Sequence, residues 1–565
     1  MFLPTTQEEL DKLGWNKLDV ILVTGDSYID SPFIGVAVIG KVLLKAGYRV
    51  GIIAQPDSHS GKDIKRLGEP ELFWGITGGS VDSLVSNYTA TKKRRKKDDY
   101  TPGGINNRRP DRAVIVYTNL IRKFFKHTKP VVLGGIEASL RRISHYDFWS
   151  NKIRKSILFD AKADLLVYGM GERTVVELAD KLKAEEDIKD IKGICYISKE
   201  KKPDYIELPS FEKVIKDKHA FIDSFNLFYV NTDPHTAKGL CQKQDLRYLV
   251  QNPPGPYLTQ KELDAVYEMD FERDLHPFYK KQGEVKALET IKFSLTTHRG
   301  CYGECNFCAI AVHEGRTVRW RSEKSVLKEA ECLTKHPGFK GNILDAGGPT
   351  ANMYGFECKK KLSRGSCKDK RCLYPEICTR LKVDHSSQIK LLRRLRNLKG
   401  IKKVFVASGI RYDLLLHDKK YGTAYLKEIV GHHVSGQMKV APEHIEENIL
   451  KKMGKPGKES LLEFKDMFYK LTQTAGKKQF LTYYLMAAHP GCQDKDMREL
   501  HLFATKKLKT HPEQVQIFTP TPSTYSTLMY YTEMDPLTRK KIFVEKHNSK
   551  KERQKYIVVK RKKMR

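Results

Sequence analysis

The 565-residue sequence lacks any apolar run long enough to cross a membrane as a helix. Its longest apolar runs, such as DVILVTG and RAVIVYT, have the length of a β-strand. Its first residues, MFLPTTQEELDKLGW, contain no basic start followed by an apolar stretch, so we do not expect a secretory signal. We therefore expect a cytoplasmic protein with no membrane partner.

Acidic residues are few relative to basic ones, with 68 Asp and Glu against 102 Lys and Arg, which gives a formal net charge of +34. A charge of this sign and size can attract a polyanion such as RNA. Residues 92–97 (KKRRKK) and 546–565 supply 15 of these charges, and the rest are spread along the chain. Solvated lysines without a partner also account for this pattern, so both interpretations stay open.

A chain of this length is too long for one hydrophobic core, so we expect several domains. Residues 19–57 contain a strand (DVILVTG), a helical stretch and a second strand (RVGIIAQP), which together form a βαβ unit. Further strand-like runs follow at 112–118, 130–135 and 163–169. These runs predict a Rossmann-like α/β domain over residues 1–190. The polar, proline-broken segment 191–285 is interpreted as a bridging region.

From residue 286 onward, six strand-like runs alternate with segments of helix length: KFSLT, NILDA, KVFVAS, QMKVAP, FLTYYLM and QVQIFTP. Apolar residues recur at helical spacing in SEKSVLKEAECLTKH and SQIKLLRRLRNL, two of the intervening segments. The alternation predicts a partial (β/α)6 parallel barrel over residues 286–545. A cysteine-rich insertion at 355–380 interrupts it, and a basic tail, 546–565, follows it. Barrels place their chemistry at the C-terminal ends of the strands.

Three cysteines, Cys301, Cys305 and Cys308, follow the first of these strands in CxxxCxxC spacing, within THRGCYGECNFC. Three thiolates without a nearby fourth ligand can hold a four-iron cluster and leave one iron open to another molecule. A structural zinc site is the alternative. Zinc fingers more often pair two CxxC halves, and no matching half lies nearby, so we favour the cluster.

Candidate cofactor-binding residues lie at the ends of the next three strands. Glycines allow a backbone to approach a ligand closely, and an arginine fork suits a carboxylate. The candidates are Gly347, Gly348, Pro349 and Thr350 after the second strand, Ser408 and Arg411 after the third, and Lys439 on the fourth. A plain turn and solvated surface charges are the alternatives.

A second cysteine group lies in the insertion and comprises Cys358, Cys367, Cys372 and Cys378. Thiols crowded into one lysine- and arginine-rich segment favour a second metal site, since metal neutralises their mutual repulsion. A second iron–sulfur cluster, a structural zinc ion and free thiols are all compatible with this irregular spacing.

The CxxxCxxC segment resembles the motif of the radical S-adenosylmethionine (SAM) superfamily, CxxxCx(aromatic)C, with Phe307 at the aromatic position. The resemblance implies a [4Fe-4S] cluster on Cys301, Cys305 and Cys308 whose open iron binds SAM. It also implies that the LDAGGPT loop contacts the methionine amino group of SAM. The reduced cluster then cleaves SAM, with electrons from a donor such as flavodoxin or ferredoxin, and the resulting radical abstracts hydrogen from a substrate.

The N-terminal domain resembles the cobalamin-binding module of many radical SAM proteins in GDSYIDSPFIG, VVLGGIEAS and DLLVYGMGERT. The axial-histidine motif of that module, DxHxxG, aligns with residues 30–35, where Pro32 occupies the ligand position and cannot coordinate cobalt. We therefore do not expect bound cobalamin.

Nearly the whole chain is similar to the YgiQ-type radical SAM proteins. The similarity includes NYTATKKRRKKDDYTPGG, GGIEASLRRISHYDFW, MKVAPEHIEENILKKMGKP and YYLMAAHPGC. The expected function is a radical SAM enzyme with no catalytic residue assigned beyond the cluster ligands. Its substrate is either a small molecule or RNA. The alternative from another class is a non-catalytic, metal-stabilised RNA-binding protein.

Overall fold

A computed structural model describes residues 1–559 and divides the chain into two compact units. The first unit comprises Met1–Leu258 and Ala265–Lys292, and the second comprises Thr259–Asp264 and the chain from Phe293 onward. Both combine helices with largely parallel strands, as the predicted α/β class requires. Among the described residues, none of the helices has the length and apolar character needed to cross a membrane.

The first unit contains a nine-stranded sheet. From edge to edge its strands are Val50–Ala54, Val20–Thr24, Phe73–Thr77, Val131–Gly134, Leu165–Val167, Ile194–Ser198, Arg247–Gln251, Leu240–Gln244 and Ile206–Leu208. The first five are parallel to one another. Val20–Thr24 is buried at every position because it lies inside the sheet with neighbours on both sides. Two short antiparallel pairs complete the strands: Ile29–Asp30 with Asp274–Leu275, and His145–Asp147 with Lys152–Arg154.

The predicted bridging region, residues 191–285, does not form a separate segment. Its strands Ile194–Ser198, Ile206–Leu208, Leu240–Gln244 and Arg247–Gln251 extend the sheet of the first unit, and most of their pairings are antiparallel. The first unit therefore extends past residue 190 as far as Lys292. These strands come from a polar stretch, and only Leu240–Gln244 and Arg247–Gln251 are joined by a short hairpin. They therefore lack the βαβ rhythm on which the predicted boundary depended.

The predicted strand at 112–118 is wrong, because these residues begin the helix Ala113–Phe124. Its buried residues include Ala113, Tyr117 and Ile121, which recur at the spacing of one helix face. The other helices of the first unit are Gln7–Leu13, Gly35–Lys45, Ser83–Asn87, Gly135–Ser139, Ile157–Ala161, Glu172–Lys183, Phe211–Lys216, Lys218–Val230, Pro277–Lys280 and Leu288–Ile291, with a 3-10 turn at Pro102–Gly104. A seven-residue apolar run is too short to distinguish a buried strand from a buried helix.

The second unit contains a series of short strands at the predicted places. In chain order they are Leu295–Thr296, Asn342–Ile343 with Ala346–Gly347, Lys403–Val404, Gln437–Glu443, Phe480–Ala487 and Gln516–Ile517. Each pairs in parallel with the next in the chain, through an isolated bridge from Ile410 to Val440 in one case. A separate antiparallel pair joins His298–Arg299 to Arg319–Trp320.

Helices separate these strands. The predicted helices in SEKSVLKEAECLTKH and SQIKLLRRLRNL are confirmed as Glu323–Thr334 and Ser386–Arg396. The longer of the others are Tyr412–His417, Gly422–Glu428, Glu447–Met453, Lys458–Thr474, Asp494–Lys506, Tyr525–Thr532 and Asn548–Val558; a short one, Lys359–Arg364, lies in the cysteine-rich insertion.

The predicted basic tail, 546–565, is in large part a packed helix, Asn548–Val558. Lys551 is buried on this helix, and its ammonium lies 2.8 Å from the hydroxyl of Tyr530. The aliphatic stem of a lysine packs like an apolar side chain, so a basic composition does not exclude burial. The last part of the predicted tail, residues 560–565, lies outside the described residues.

A buried carboxylate, Glu428, joins two helices of the second unit. It accepts hydrogen bonds from Arg393 Nε at 2.7 Å and from Arg396 Nε at 3.1 Å, and His433 Nε2 lies 3.4 Å away. Burial by itself would raise the pKa of Glu428. Hydrogen bonds from His433 and Arg393 outweigh burial and hold the pKa at about 2.

We expect Glu428→Gln to lower the free energy of unfolding by about 2 kcal/mol at neutral pH, because it removes the charge that pairs with the two arginines. A carboxyl whose folded-state pKa is lowered stabilises the fold above its ordinary pKa of about 4.3. That stabilisation is lost as the pH falls towards 2. Urea unfolding followed by circular dichroism should therefore show a difference from wild type that shrinks below about pH 4. The exposed Glu447→Gln is the control, and we expect it to leave the free energy of unfolding unchanged within error. A pH-independent difference at Glu428 would contradict the assignment.

Candidate metal and cofactor site

The CxxxCxxC loop begins directly after the strand His298–Arg299. Gly300 has a φ of 79°, and a Cβ placed there would lie 2.5 Å from the carbonyl oxygen of Thr317, so the loop requires glycine at this turn. Within the loop, the N–H of Gly303 donates to Sγ of Cys301 at 3.3 Å, and the N–H of Cys308 donates to the carbonyl of Cys305 at 3.0 Å. These bonds curl the loop around its three sulfurs.

The geometry of this loop fits an iron–sulfur cluster. A Cβ at Gly303 would lie 3.2 Å from Sγ of Cys301 and 3.6 Å from Sγ of Cys305, so both sulfurs lie beside the space that glycine leaves open at this position. Burial raises the pKa of the Cys301 and Cys308 thiols, and the neighbouring Cys305 raises both further. Bound metal reverses this preference because its positive charge stabilises thiolates.

A single metal ion fits less well. Across residues 1–559, no three or more His, Cys, Asp or Glu side chains converge on one point as a single-ion site requires. A zinc ion holds all its sulfurs at about 2.3 Å, whereas a four-iron cluster places each thiolate on a different iron and so spaces the ligands more widely. The donor set of the triplet therefore favours a cluster over the zinc alternative.

Arg411 lies beside the cysteine loop, but its fork is already engaged. Its Nε donates to Oδ1 of Asp413 at 2.8 Å, and its Nη2 donates to Oδ2 of the same carboxylate. Burial would raise the pKa of Asp413, but the charge of Arg411 outweighs burial and lowers it. The remaining nitrogen, Nη1, lies 3.6 Å from Sγ of Cys305. Arg411 thus places a positive charge next to a sulfur and does not present a free fork to a ligand.

The glycine turn after the second strand lies against the cysteine loop. A Cβ at Gly348 would lie 2.7 Å from the ring of His298, and one at Gly347 would lie 3.1 Å from Oγ of Ser408. His298 Nε2 donates to the carbonyl of Thr350 at 2.9 Å, and the hydroxyl of Thr350 lies 3.5 Å from Sγ of Cys301. Close packing within the chain therefore already requires both glycines. Burial lowers the pKa of His298 to about 4, so its ring is neutral.

The two remaining candidates at the strand ends differ in environment. The hydroxyl of Ser408 donates to Asp345, which also accepts the N–H groups of Ala407 at 2.8 Å and Ser408 at 3.1 Å. Lys439 is exposed, and its ammonium has no hydrogen-bond or ion-pair partner among the described residues. It alternates along its strand with the buried Met438, so it lies on the opposite face. Of these two, only Lys439 presents a free polar group.

Glu443, which the sequence reasoning missed, ends the fourth strand of the series. Its φ is 67°, and its carboxylate has no hydrogen-bond partner among the described residues. Burial raises the pKa of Glu443, although the charge of Lys455 opposes the shift. Non-glycine residues with positive φ also follow the next two strands, at Ala488 and Ser523. Backbone strain of this kind clusters at functional sites. A polar residue immediately after the apolar QMKVAP run was the available signal.

Replacement of Glu443 by glycine should stabilise the protein and impair its activity. Glycine relieves the positive φ and removes a carboxylate without a partner, so we expect unfolding to require about 1 kcal/mol more free energy. Chemical unfolding measures the change in the free energy of unfolding, and turnover measures the loss of activity. Ala488→Gly is the matched control, because it relieves a similar φ of 57° without removing a carboxylate. A Glu443→Gly variant that is less stable than wild type would show that the carboxylate serves the fold.

Pro32 stands at the position that aligns with the cobalt ligand, and its side chain has no nitrogen that could bind a metal. Asp30, which precedes Pro32, is fully buried and pairs with the ammonium of Lys41 at 3.1 Å. Its carboxylate also accepts the N–H of Glu272 at 3.0 Å. An aspartate in this motif would otherwise orient a histidine ligand. Residues 30–35 thus offer no axial nitrogen to cobalt.

Residues 2–294 match the family described as Radical SAM N-terminal, and residues 513–563 match a domain of unknown function, DUF3362. A UPF0313 protein of Fusobacterium nucleatum is 60% identical over 100% of both chains. A UPF0313 protein of Thermotoga maritima is 50% identical over 97% of this chain and 96% of its own. Among solved structures, the radical SAM methyltransferase TsrM of Kitasatospora setae, with tryptophan and aza-SAM bound, is 15% identical over 89% of this chain and 75% of its own, with a TM-score of 0.49.

An α/β chain with a CxxxCxxC loop at a strand end and a Radical SAM N-terminal match over its first half is a radical SAM-type protein. The chain belongs to the UPF0313 family. The predicted relation to radical SAM proteins is thereby confirmed.

Proposed function

We propose that the protein is a radical SAM enzyme whose [4Fe-4S] cluster is held by Cys301, Cys305 and Cys308. The observation that carries the proposal is the conformation of the loop, in which Sγ of Cys301 and Sγ of Cys305 both lie next to the position that a Cβ of residue 303 would occupy. Membership of a radical SAM-type family supports the same chemistry. The rival interpretation, a non-catalytic RNA-binding protein, does not account for this family membership.

When bound, the cluster supplies one electron that cleaves SAM reductively and so starts radical chemistry on the substrate. The protein's own residues tune and shield this site. Arg411 holds a positive charge beside Cys305, and the N–H of Gly303 donates to Cys301; both interactions stabilise negative charge on sulfur. Glu443, whose pKa is raised by burial, can hold a proton at the strand ends and transfer it there.

The successive parallel strands of the second unit support a partial (β/α)6 barrel with this site at its C-terminal mouth. In the first unit, the five parallel strands support a Rossmann-like domain. SAM would lie between the cysteine loop and the turn formed by Gly347, Gly348, Pro349 and Thr350. Because the Arg411 fork is engaged by Asp413, Lys439 is the better candidate for the carboxylate of SAM.

The proposed chemistry requires an electron donor such as flavodoxin or ferredoxin, and a reducing cytoplasm would keep the cysteines free of disulfides.

Basic charge supports an anionic substrate. Residues 92–97 are exposed in a hairpin bridged from Tyr88 to Arg94. Six consecutive basic residues in one ordered hairpin favour an anionic substrate, a requirement that RNA and a small anionic molecule both meet.

The proposal is tested by anaerobic reconstitution of the purified protein with iron and sulfide, followed by incubation with SAM and dithionite. We expect 5′-deoxyadenosine and methionine in equal amounts, measured by liquid chromatography and mass spectrometry. A reconstituted protein that carries the cluster, shown by its electron paramagnetic resonance (EPR) signal, and yet leaves SAM intact would refute the function.

A further inference from the structure

Four cysteines outside the first loop, Cys358, Cys367, Cys372 and Cys378, lie in the cysteine-rich insertion of the second unit. Two consecutive lysines after Cys358 contact other members of the group: Lys360 Nζ lies 3.4 Å from Sγ of Cys367, and Lys361 Nζ lies 3.5 Å from Sγ of Cys372. Cys358 caps the N-terminus of the short helix Lys359–Arg364, which carries both lysines, so Cys358, Cys367 and Cys372 all lie at or against this helix.

The fourth cysteine is tied to the third through the backbone. The N–H of Cys378 donates to the carbonyl of Cys372 at 2.8 Å. Cys358 is buried, and the other three are partly buried. None of these four cysteines is exposed, in contrast to Cys332 on the helix Glu323–Thr334.

The charge around this group is that expected of an anionic centre. Residues 357–380 contain eight Lys and Arg against three Asp and Glu. Free thiols are neutral and need no such compensation, whereas a cluster bound by four thiolates carries net negative charge. Hydrogen bonds from lysine ammonium groups to sulfur also set the potential of a cluster.

Hydrogen bonds connect the cysteine-rich insertion to the first cysteine loop and its neighbourhood. Nη1 of Arg371 donates to the carbonyl of Glu304 at 2.9 Å, and Nη2 of Arg316 donates to the carbonyl of Cys367 at 3.2 Å. The carboxylate of Glu304, inside the CxxxC sequence, accepts from Nε of Arg316 at 2.7 Å.

Apolar packing brings the two cysteine groups together as well. Cys358 belongs to a small buried apolar cluster, and Cys301 of the first loop and Cys372 of the second group both pack against it. The cluster also contains Tyr302, whose hydroxyl donates to the carbonyl of Phe356 at 3.3 Å. Members of the two cysteine groups thus pack against the same apolar residues.

We propose that Cys358, Cys367, Cys372 and Cys378 hold a second iron–sulfur cluster next to the first. Four thiolates leave no iron open, so this centre would not bind SAM. Zinc is disfavoured because no three or more of the His, Cys, Asp and Glu side chains in residues 1–559 converge on one point. The inference deepens the proposed function, and the site itself rests on the second cysteine group alone.

The test is metal and sulfide analysis of the anaerobically reconstituted full chain. We expect about eight irons per wild-type chain. A Cys301→Ser, Cys305→Ser, Cys308→Ser triple variant should keep about four, with an EPR signal that SAM does not perturb. A Cys358→Ser, Cys372→Ser double variant should also keep about four and still cleave SAM with dithionite. Cys332→Ser is the control and should keep all eight.

The triple variant keeps the proposal testable even if the double variant does not fold. A triple variant without iron, or zinc that is lost on substitution of Cys358 and Cys372, would overturn the second cluster. Failure of the proposed function gives a different result, since a wild-type chain with about eight irons that leaves SAM intact would refute only that function.

Discussion

Replacement of Cys305 by alanine should abolish the reductive cleavage of SAM, with a loss of more than about 100-fold. Residues that only contact a metal ligand already contribute up to about 100-fold, and a ligand itself should contribute more. The thiolate supplies one of only three protein ligands in the first loop, so no neighbouring cysteine of that loop can take its place. Its removal also leaves the Nη1 group of Arg411 without its sulfur contact. Formation of 5′-deoxyadenosine from SAM under anaerobic conditions measures the effect.

Cys332→Ala is the matched control, because this cysteine belongs to the same unit and is exposed. It should cleave SAM at the wild-type rate and bind the same amount of iron. Iron and sulfide analysis of Cys305→Ala distinguishes a lost cluster from a lost fold, which circular dichroism reports. Wild-type turnover by Cys305→Ala would remove this cysteine from the ligand set and would contradict the proposed site.

Replacement of Arg109 by lysine should destabilise the first unit by about 3 to 5 kcal/mol, a large share of the stability of an ordinary domain. The guanidinium of Arg109 is fully buried and joins two buried carboxylates, Asp26 at 2.7 Å and Asp98 at 3.0 Å. It also donates to the carbonyl of Gly78 at 2.9 Å. A single ammonium group cannot reproduce this fork, so at least one buried carboxylate would lose its partner.

The neighbouring Arg108→Lys is the control, since Arg108 is exposed and its only described hydrogen bond is to Gln282. We expect it to change the free energy of unfolding by less than about 0.5 kcal/mol. Urea unfolding followed by circular dichroism and tryptophan fluorescence should show an early transition in Arg109→Lys. Equal unfolding midpoints for the two variants would mean that the buried ion pairs contribute little.

Local sequence patterns correctly predicted the helices and strands whose apolar residues follow a regular pattern within one short segment. The helix Glu323–Thr334 lies where apolar spacing predicts it, and the strand Val20–Thr24 lies within the predicted DVILVTG run. Apolar spacing did not predict the helix Ala113–Phe124, because a short apolar run satisfies the burial of either a strand or a helix. The strands after residue 190 were not predicted either, because pairing with a strand distant in sequence stabilises a polar segment there.

For the site, the sequence identified candidate cysteine ligands but not the contacts of the residues around them. Arg411 was predicted to contact the cofactor, and its Nη1 lies 3.6 Å from Sγ of Cys305. Its fork, however, is taken by Asp413, two residues along the chain, and only side-chain packing shows this. Glu443 directly follows the apolar QMKVAP run, but its positive φ and its lack of a hydrogen-bond partner are visible only in the structure.

The sequence by itself determined the chemical class, because the spacing of Cys301, Cys305 and Cys308 along the chain already limits which metal centre they can hold. Only the tertiary structure decided how the second cysteine group relates to the first. That relation depends on contacts between residues far apart in sequence, such as Glu304 with Arg371. Ligand identity is a short-range property of the chain, whereas charge compensation and burial depend on which distant residues the fold brings together.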